Sequence, residues 1–403
     1  MDPNEAQNTR FAAEVVKTEN PFEVWTDQNR VSSPGIVASG FLTDDQLDIK
    51  VVKTENPFEV WTDQNRVSSP GIVASGFLTD AQLDISLLII ISFVQIFNIA
   101  GIISNILNIV VLAKLGYSEP SNISLTALAA SDLTCAVLSI WNGLCFLPPF
   151  RDSNLPFDTI NVSSLTGAFL WAYLTRTSAW ITAFISLERC LCVLMPLKVK
   201  RLITTKTTLR ATSIIVILTA FPYFISYFGY RFAWINYPHL NATILNIISR
   251  GNGYYILLET ILMIICGVIQ PLLAFIIVIV CTIFLTIQLK KMSSWRKTAT
   301  SVNSSPNPTQ SVASSNRDVR LIRMVVAIAS IFIVCFTPTC VQLVCTAMFK
   351  EFFYFGVYER LFFLISSLTA LCQSVNGSLN IIMYYNMASK YRITLRRLFS
   401  LDS

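Results

Sequence analysis

The chain has 403 residues, is 53% hydrophobic and 12% aromatic, and carries charge on only 13% of its positions. That charged fraction is about half of what a soluble protein holds, which excludes two or three water-soluble domains in series. The net charge of +6 is uneven: residues 1–84 hold 6 basic and 14 acidic side chains, −8 net, so the remainder is +14.

The acidic tail, residues 1–85, repeats itself. VVKTENPFEVWTDQNRVSSPGIVASGFLTD at 15–44 returns at 51–80, and copies this alike point to a recent duplication or an error in assembling the gene rather than a solenoid, whose repeats diverge around a kept core. With few aliphatic residues and high acidity the tail is expected to be disordered and extracellular. Beyond it, seven apolar runs reach the roughly 20 residues that a bilayer requires: 86–113, 120–147, 164–195, 208–230, 254–289, 319–349 and 358–386. An all-α membrane protein follows, a bundle of seven transmembrane helices over 86–386. The first residues, MDPNEAQNTR, lack the apolar core of a cleavable signal, so the first span is expected to direct insertion.

Orientation follows from lysine and arginine. The connections after spans one, three and five and the C-terminal segment hold 14 basic residues against 4 in the other three connections. The N-terminus is therefore expected outside and the C-terminus inside, with the basic face against anionic lipid rather than nucleic acid. The sequons at Asn161 and Asn241 fall in outer loops and are candidate glycosylation sites. Residues 290–319, rich in Ser, Thr, Asn and Pro, read as a flexible third cytoplasmic loop. Residues 388–403 place Tyr391, Leu395, Leu398 and Phe399 opposite Arg and Lys, the pattern of a short helix on the membrane surface. No nucleophile–base pair, phosphate-binding glycine loop or metal-ligand spacing is visible among the ten cysteines and one histidine; an enzyme is not expected, and neither is an organic cofactor.

Polar side chains inside a bilayer are costly and mark functional candidates. Glu188-Arg189 ends the third span as FISLERCLCVLMPLKVKR. The pair is either a snorkelling interface pair or a charge pair that a partner can break. Arg176 lies thirteen residues earlier, about 20 Å further out. It either anchors an anionic ligand or pairs with Glu259. Asp132 needs a cation or several donors if it is buried; hydrogen-bonded glue between helices is the other reading.

Taken together, Asn105 in GIISNILNIVVL, Asp132 in SLTALAASDL, Glu188-Arg189-Cys190 with Pro196-Leu197, Pro271, FIVCFTP and SLNIIMY resemble the rhodopsin family (class A) of G-protein-coupled receptors over 86–399. Within it, LTALAASDL, ITAFISLERCLCVLMPLKVK, SSWRK and NMASKYR are most similar to molluscan chemosensory receptors. The resemblance implies a plasma-membrane chemosensory receptor that converts binding of an extracellular small-molecule or peptide ligand into heterotrimeric G-protein activation. It implies a switch of Glu188, Arg189, Pro196, Leu197, Phe332, Phe336, Pro338, Asn380 and Tyr384. It implies a ligand pocket of Trp171, Thr175, Cys340, Leu343, Ala370 and Ser374, beside Arg176 and Glu259. An allosteric sodium ion would sit on Asp132, Ser178, Asn376 and Asn380. Arrestin and a receptor kinase would act on the serines and threonines of 301–315. A neuropeptide (FMRFamide-like) receptor of the same fold and a seven-span ligand-gated chemosensory channel are the alternatives.

The sequence departs from the family where Ile381 replaces a proline, Phe336 a tryptophan and Ile279 a tyrosine. The family's outer disulfide is also missing, since Ser164 stands at its position in span three and residues 231–255 contain no cysteine. No disulfide is expected, and the second outer loop is expected to be freer for its loss. Cys145 with Cys345 is a weaker alternative bridge.

Overall fold

In a computed structural model, residues 80–151, 153, 155–237, 242–249, 253–302, 310–349, 351–352, 358–387 and 389–399 are described; they lie within the unit Gly71–Ser403. The repeated tail and the Asn241 sequon lie outside them. Seven helices are long and apolar enough to cross a membrane. They are α1 (Asp80–Leu115), α2 (Pro120–Phe146), α3 (Thr159–Leu194), α4 (Thr205–Phe228), α5 (Gly253–Ile264, continued to Val302), α6 (Gln310–Met348) and α7 (Glu359–Met387). A short α8 (Ser389–Leu398) follows.

The first helix shows what solvent these helices are built for. Its large exposed hydrophobic residues are Ile85, Ile89, Phe93, Ile96, Ile99, Ile103 and Ile106, whereas Asn98, Ser104, Asn105 and Asn108 are buried beside Ile91, Val94, Val111 and Leu112. Both sets recur every three or four residues, so one face is apolar and outward and the other carries the polar residues inward. A helix in water has the opposite arrangement. The bundle closes by α1 packing on both α2 and α7, while α3 runs through the middle against α2, α4, α5 and α6.

Local chemistry explains the breaks. Gly116 takes φ +78° between α1 and α2, a conformation that glycine adopts without a Cβ clash. Pro120 then starts α2, where its missing N–H is not needed. Asp158 caps the start of α3 by accepting from Asn161 N at 2.9 Å, which places the Asn161 sequon in that first turn. Both α3 and α5 contain a π turn, Ser164–Ala168 and Ile265–Ile269. Pro222 lies inside α4 and Pro338 inside α6.

Two expectations change. Helix α5 continues to Val302 and α6 begins at Gln310, so helix occupies most of the stretch expected as a flexible third loop. An established helix propagates more easily than it starts, and two long spans are already nucleated on either side. The connection between α4 and α5, expected as the second outer loop, is also tied down without a disulfide. It folds as an antiparallel hairpin of β1 (Tyr230–Tyr237) and β2 (Ala242–Ser249). Leu245 of β2 then pairs in parallel with Phe157: Leu245 N donates to Pro156 O at 2.8 Å and Asp158 N to Leu245 O at 3.1 Å. All ten cysteines are free, including Cys145 and Cys345.

Candidate functional site

A cavity of about 50 Å³ lies on the bundle axis, between α1, α2, α3, α6 and α7. Its polar lining is Asn98, Asn105, Asp132, Thr175, Ser178, Gln373, Ser374 and Asn376, and its apolar lining includes Trp171, Phe332 and Phe336. Three expected ligand residues, Trp171, Thr175 and Ser374, therefore share one cavity with three of the four expected sodium ligands. The fourth, Asn380, lies one contact away: its Nδ2 donates to Asp132 Oδ2 at 2.9 Å, while Ser178 Oγ donates to Oδ1 at 2.6 Å.

Helix spacing builds this layer. Asn98 and Asn105 are two turns apart on α1 and project to the same side. Asn98 Nδ2 donates to Ser139 on α2 at 2.8 Å and its Oδ1 accepts from Ser374 on α7 at 2.7 Å. Asn105 Nδ2 donates to Gly101 O and Gly377 O at 2.9 and 3.0 Å. Gln373 Nε2 donates to Thr339 at 2.9 Å, and its Oε1 is buried without a hydrogen-bond partner. Asn98 and Gln373 escaped the sequence reading, although the 98, 105, 108 spacing of asparagines on one helix was there to see.

The remaining expected pocket residues are elsewhere. Cys340 is packed in an apolar cluster with Phe332, Phe336, Ala274 and Val278; Leu343 and Ala370 are half-buried and outside the cavity lining. The Glu259 side chain lies outside the described residues. Arg176 turns away from the cavity towards α4 and α5. Its Nη1 donates to Ala172 O at 2.7 Å and its guanidinium lies 5.2 Å from the ring centre of Tyr223.

The floor of the cavity is aromatic. Phe332 and Phe336 stack at 4.9 Å between centroids with an interplanar angle of 17°, and Phe275 of α5 meets Phe336 at 5.9 Å. Pro338 lies two residues further along α6, where it removes one helical hydrogen bond and permits a bend.

At the Leu194 end of α3 the two adjacent charges are held separately. No ion pair joins Glu188 and Arg189 among the described residues. Glu188 is 1% exposed and faces inward, where Oε2 accepts from Ser124 of α2 at 3.1 Å and Oε1 from Thr208 of α4 at 2.9 Å. Arg189, the next residue, points to another side of the helix and donates to Ser121 Oγ. Adjacent residues on a helix diverge by about 100°, which is why the two charges take different partners. The side chains of Pro196 and Leu197 lie outside the described residues, although the backbone of Pro196–Leu202 forms a short helix.

One further link runs from the cavity to the membrane surface. Asn108 Nδ2 contacts Asn105 Oδ1 at 3.4 Å, and Asn108 Oδ1 accepts from the Tyr391 hydroxyl of α8 at 2.6 Å. The Tyr391 ring meets that of Tyr384 edge-on at 5.6 Å, and burial pushes the Tyr391 phenol above its usual pKa. The amphipathic helix is thus anchored by a buried tyrosine, with Phe399 left exposed.

As for the metal, the described residues contain no group of three His, Cys, Asp or Glu able to hold a transition metal. Asp132 is of another kind: both its oxygens accept hydrogen bonds, from Ser178 Oγ and Asn380 Nδ2, and the lining around it adds a hydroxyl and the side-chain amides of Asn105 and Asn376 as further oxygen sources. That donor set fits a hard cation such as sodium.

Among curated proteins no match is found. Over residues 91–402 the chain matches the family described as Serpentine type 7TM GPCR chemoreceptor Srw, which takes in most of the first span, the other six and α8. The protein is thus a multi-pass membrane receptor, and it belongs to the serpentine 7TM chemoreceptor family Srw.

Proposed function

We propose that this chemoreceptor acts at the plasma membrane, with its N-terminus outside, binding a small extracellular ligand in the axial cavity and activating a heterotrimeric G protein at the cytoplasmic end. The observation that carries the reading is the unequal anchoring of two adjacent charges. Glu188 is buried under two hydroxyls, whereas among the described residues Arg189 is held by Ser121. A guanidinium with one tether at the inner boundary can be recruited by a partner without unburying the carboxylate beside it.

Ligand would bear on the aromatic floor. Trp171, Thr175 and Ser374 line the cavity from α3 and α7, and Phe336 lies beneath, two residues before Pro338. A ligand that fits better when α6 has bent about Pro338 favours the state in which Arg189 meets the G protein, and the G protein in return tightens ligand binding. Leu197, after Pro196, is assigned to the same docking face. Asp132, Ser178, Asn376 and Asn380, with Asn105 nearby, would hold a sodium ion, which supplies a positive counter-charge to the buried carboxylate. The likeness to class A receptors, and among them to molluscan chemosensory ones, supports this reading, as does the basic cytoplasmic face. Arrestin and kinase action on 301–315 belong to the same proposal, although those side chains lie outside the described residues. Glycosylation at Asn161 and Asn241 is expected with the outer loops.

The test is G-protein activation in cells expressing the wild type or Arg189→Ala, challenged with amino acids, other small anions and short peptides. A wild-type response lost in the variant, at equal surface expression, supports coupling through Arg189. Ligand-gated current that persists without G proteins would overturn it in favour of a channel.

A further inference from the structure

Arg176 lies inside the span, 17 residues from the start and 18 from the end of Thr159–Leu194 and about 20 Å along the helix from Arg189 at 1.5 Å per residue. Its side chain turns into the bundle, towards α4 and α5, and charges so placed are retained where they pair or serve a ligand. Yet no carboxylate pairs with Arg176 among the described residues.

What surrounds it is a set of donors. Arg176 Nε, the Tyr223 hydroxyl and Trp180 Nε1 are all buried without a hydrogen-bond partner. Tyr223 lies directly under the guanidinium, and Trp180 is one turn beyond Arg176 on the same side of α3. Among the described residues, the acceptors that reach the guanidinium are two carbonyls. One belongs to Ala172; the other is Gly267 O, at a long 3.5 Å. Gly267 is free to accept because Pro271, four residues later, has no N–H to give it, and the π turn of α5 opens there. Two neutral carbonyls satisfy part of the fork and neutralise none of its charge.

We propose that Arg176, Tyr223 and Trp180 form an anion site between α3, α4 and α5, separate from the axial cavity, whose occupant is a hydrophobic monocarboxylate entering from the bilayer. A carboxylate matches the guanidinium fork in a way a spherical ion does not. The tail has an apolar route, since Phe221 and Phe224 of α4 and Ile265 and Ile269 of α5 are exposed on the lipid side.

The site can be tested without any signalling readout. Full-length receptor in lipid nanodiscs is heated in the presence of decanoate, decanol, decylammonium or sodium chloride, and the unfolding midpoint is followed as each concentration rises. Decanoate is expected to raise the midpoint saturably, and decanol and decylammonium to leave it unchanged. Tyr223→Phe, which removes one oxygen and keeps the ring, is expected to weaken decanoate by about tenfold, and Arg176→Gln by more. Because Arg176→Gln could fail to fold, Tyr223→Phe carries the decision. Equal shifts from decanoate and decanol would mean that only the tail partitions, and would overturn the site. So would no shift with decanoate, or an undiminished shift in Tyr223→Phe. A shift with chloride and none with decanoate would overturn the carboxylate assignment.

Discussion

Tyr391 and Asn108 are 283 positions apart in the sequence, and their side chains meet at 2.6 Å with the tyrosine donating. This bond attaches α8 to α1 and, through Asn108 and Asn105, to the wall of the axial cavity. A movement of α7 that displaces Tyr384 also presses on Tyr391, because the two rings are in edge-on contact.

Removing only the Tyr391 hydroxyl tests the bond. Tyr391→Phe keeps the ring against Tyr384 and leaves Asn108 Oδ1 buried without its donor, at a cost of about 1–3 kcal/mol. Asn108→Leu leaves the tyrosine hydroxyl unpaired at a similar cost. The double variant should cost clearly less than the sum, since residues sharing one hydrogen bond are not independent. Additive losses in thermal unfolding would show that the contact contributes nothing.

A second cycle addresses Glu188. Thr208→Val strips one donor from a buried carboxylate and should destabilise by about 1.5–3 kcal/mol, the range for a hydrogen bond to a charged group. Glu188→Gln weakens the same two hydroxyl contacts, so most of the Thr208→Val loss should vanish in its background. Agonist-independent G-protein activity should rise in both single variants, because both loosen the contacts of α3 with its neighbours. A Thr208→Val receptor as stable as wild type would rule out the contact as an anchor.

The seven spans were legible because hydrocarbon thickness sets a length that few other constraints demand. Asp132 with Ser178, and the end of the third span, were legible as intramembrane polar residues. Their partners were not: Glu188 could be placed beside Arg189 by adjacency, but only the 100° step of the helix shows that the two diverge to Thr208 and Ser121. The ligand set fared unevenly for a related reason. Trp171, Thr175 and Ser374 reach the cavity, while Cys340, Leu343 and Ala370 do not, because a resemblance carries positions along a helix and not the rotation that packing gives it. Asn98, Gln373 and Tyr223 carry no signal as single residues. Their importance appears once the partners, or the missing partners, are seen.

The free thiols make a direct chemical prediction. With all ten cysteines reduced, alkylation under denaturing conditions without reductant should label ten sites by mass spectrometry. Dithiothreitol should leave the thermal midpoint unchanged within about 1 °C, since a native disulfide is worth about 2–5 kcal/mol. The outer hairpin depends instead on the Leu245 pairing with residues 156–158. A pair of protected thiols would reinstate a covalent clamp and overturn this account of the loop.

The cavity makes the sharpest prediction about ligand recognition, because it divides residues that the sequence placed together. Trp171→Ala and Ser374→Ala alter the lining and should raise the half-maximal concentration of any activating compound by about tenfold or more. For Trp171 that is the loss of an aromatic surface worth about 1.5–3 kcal/mol. Ser374→Ala also frees Asn98 Oδ1, so its effect should be accompanied by lower stability. Leu343→Ala and Ala370→Ser change residues outside the lining and should leave potency within about threefold at equal surface expression. If instead the Leu343 and Ala370 variants lose potency while those at Trp171 and Ser374 do not, the ligand binds further out than the axial cavity. The aromatic floor formed by Phe332 and Phe336 would then not be the surface through which it acts.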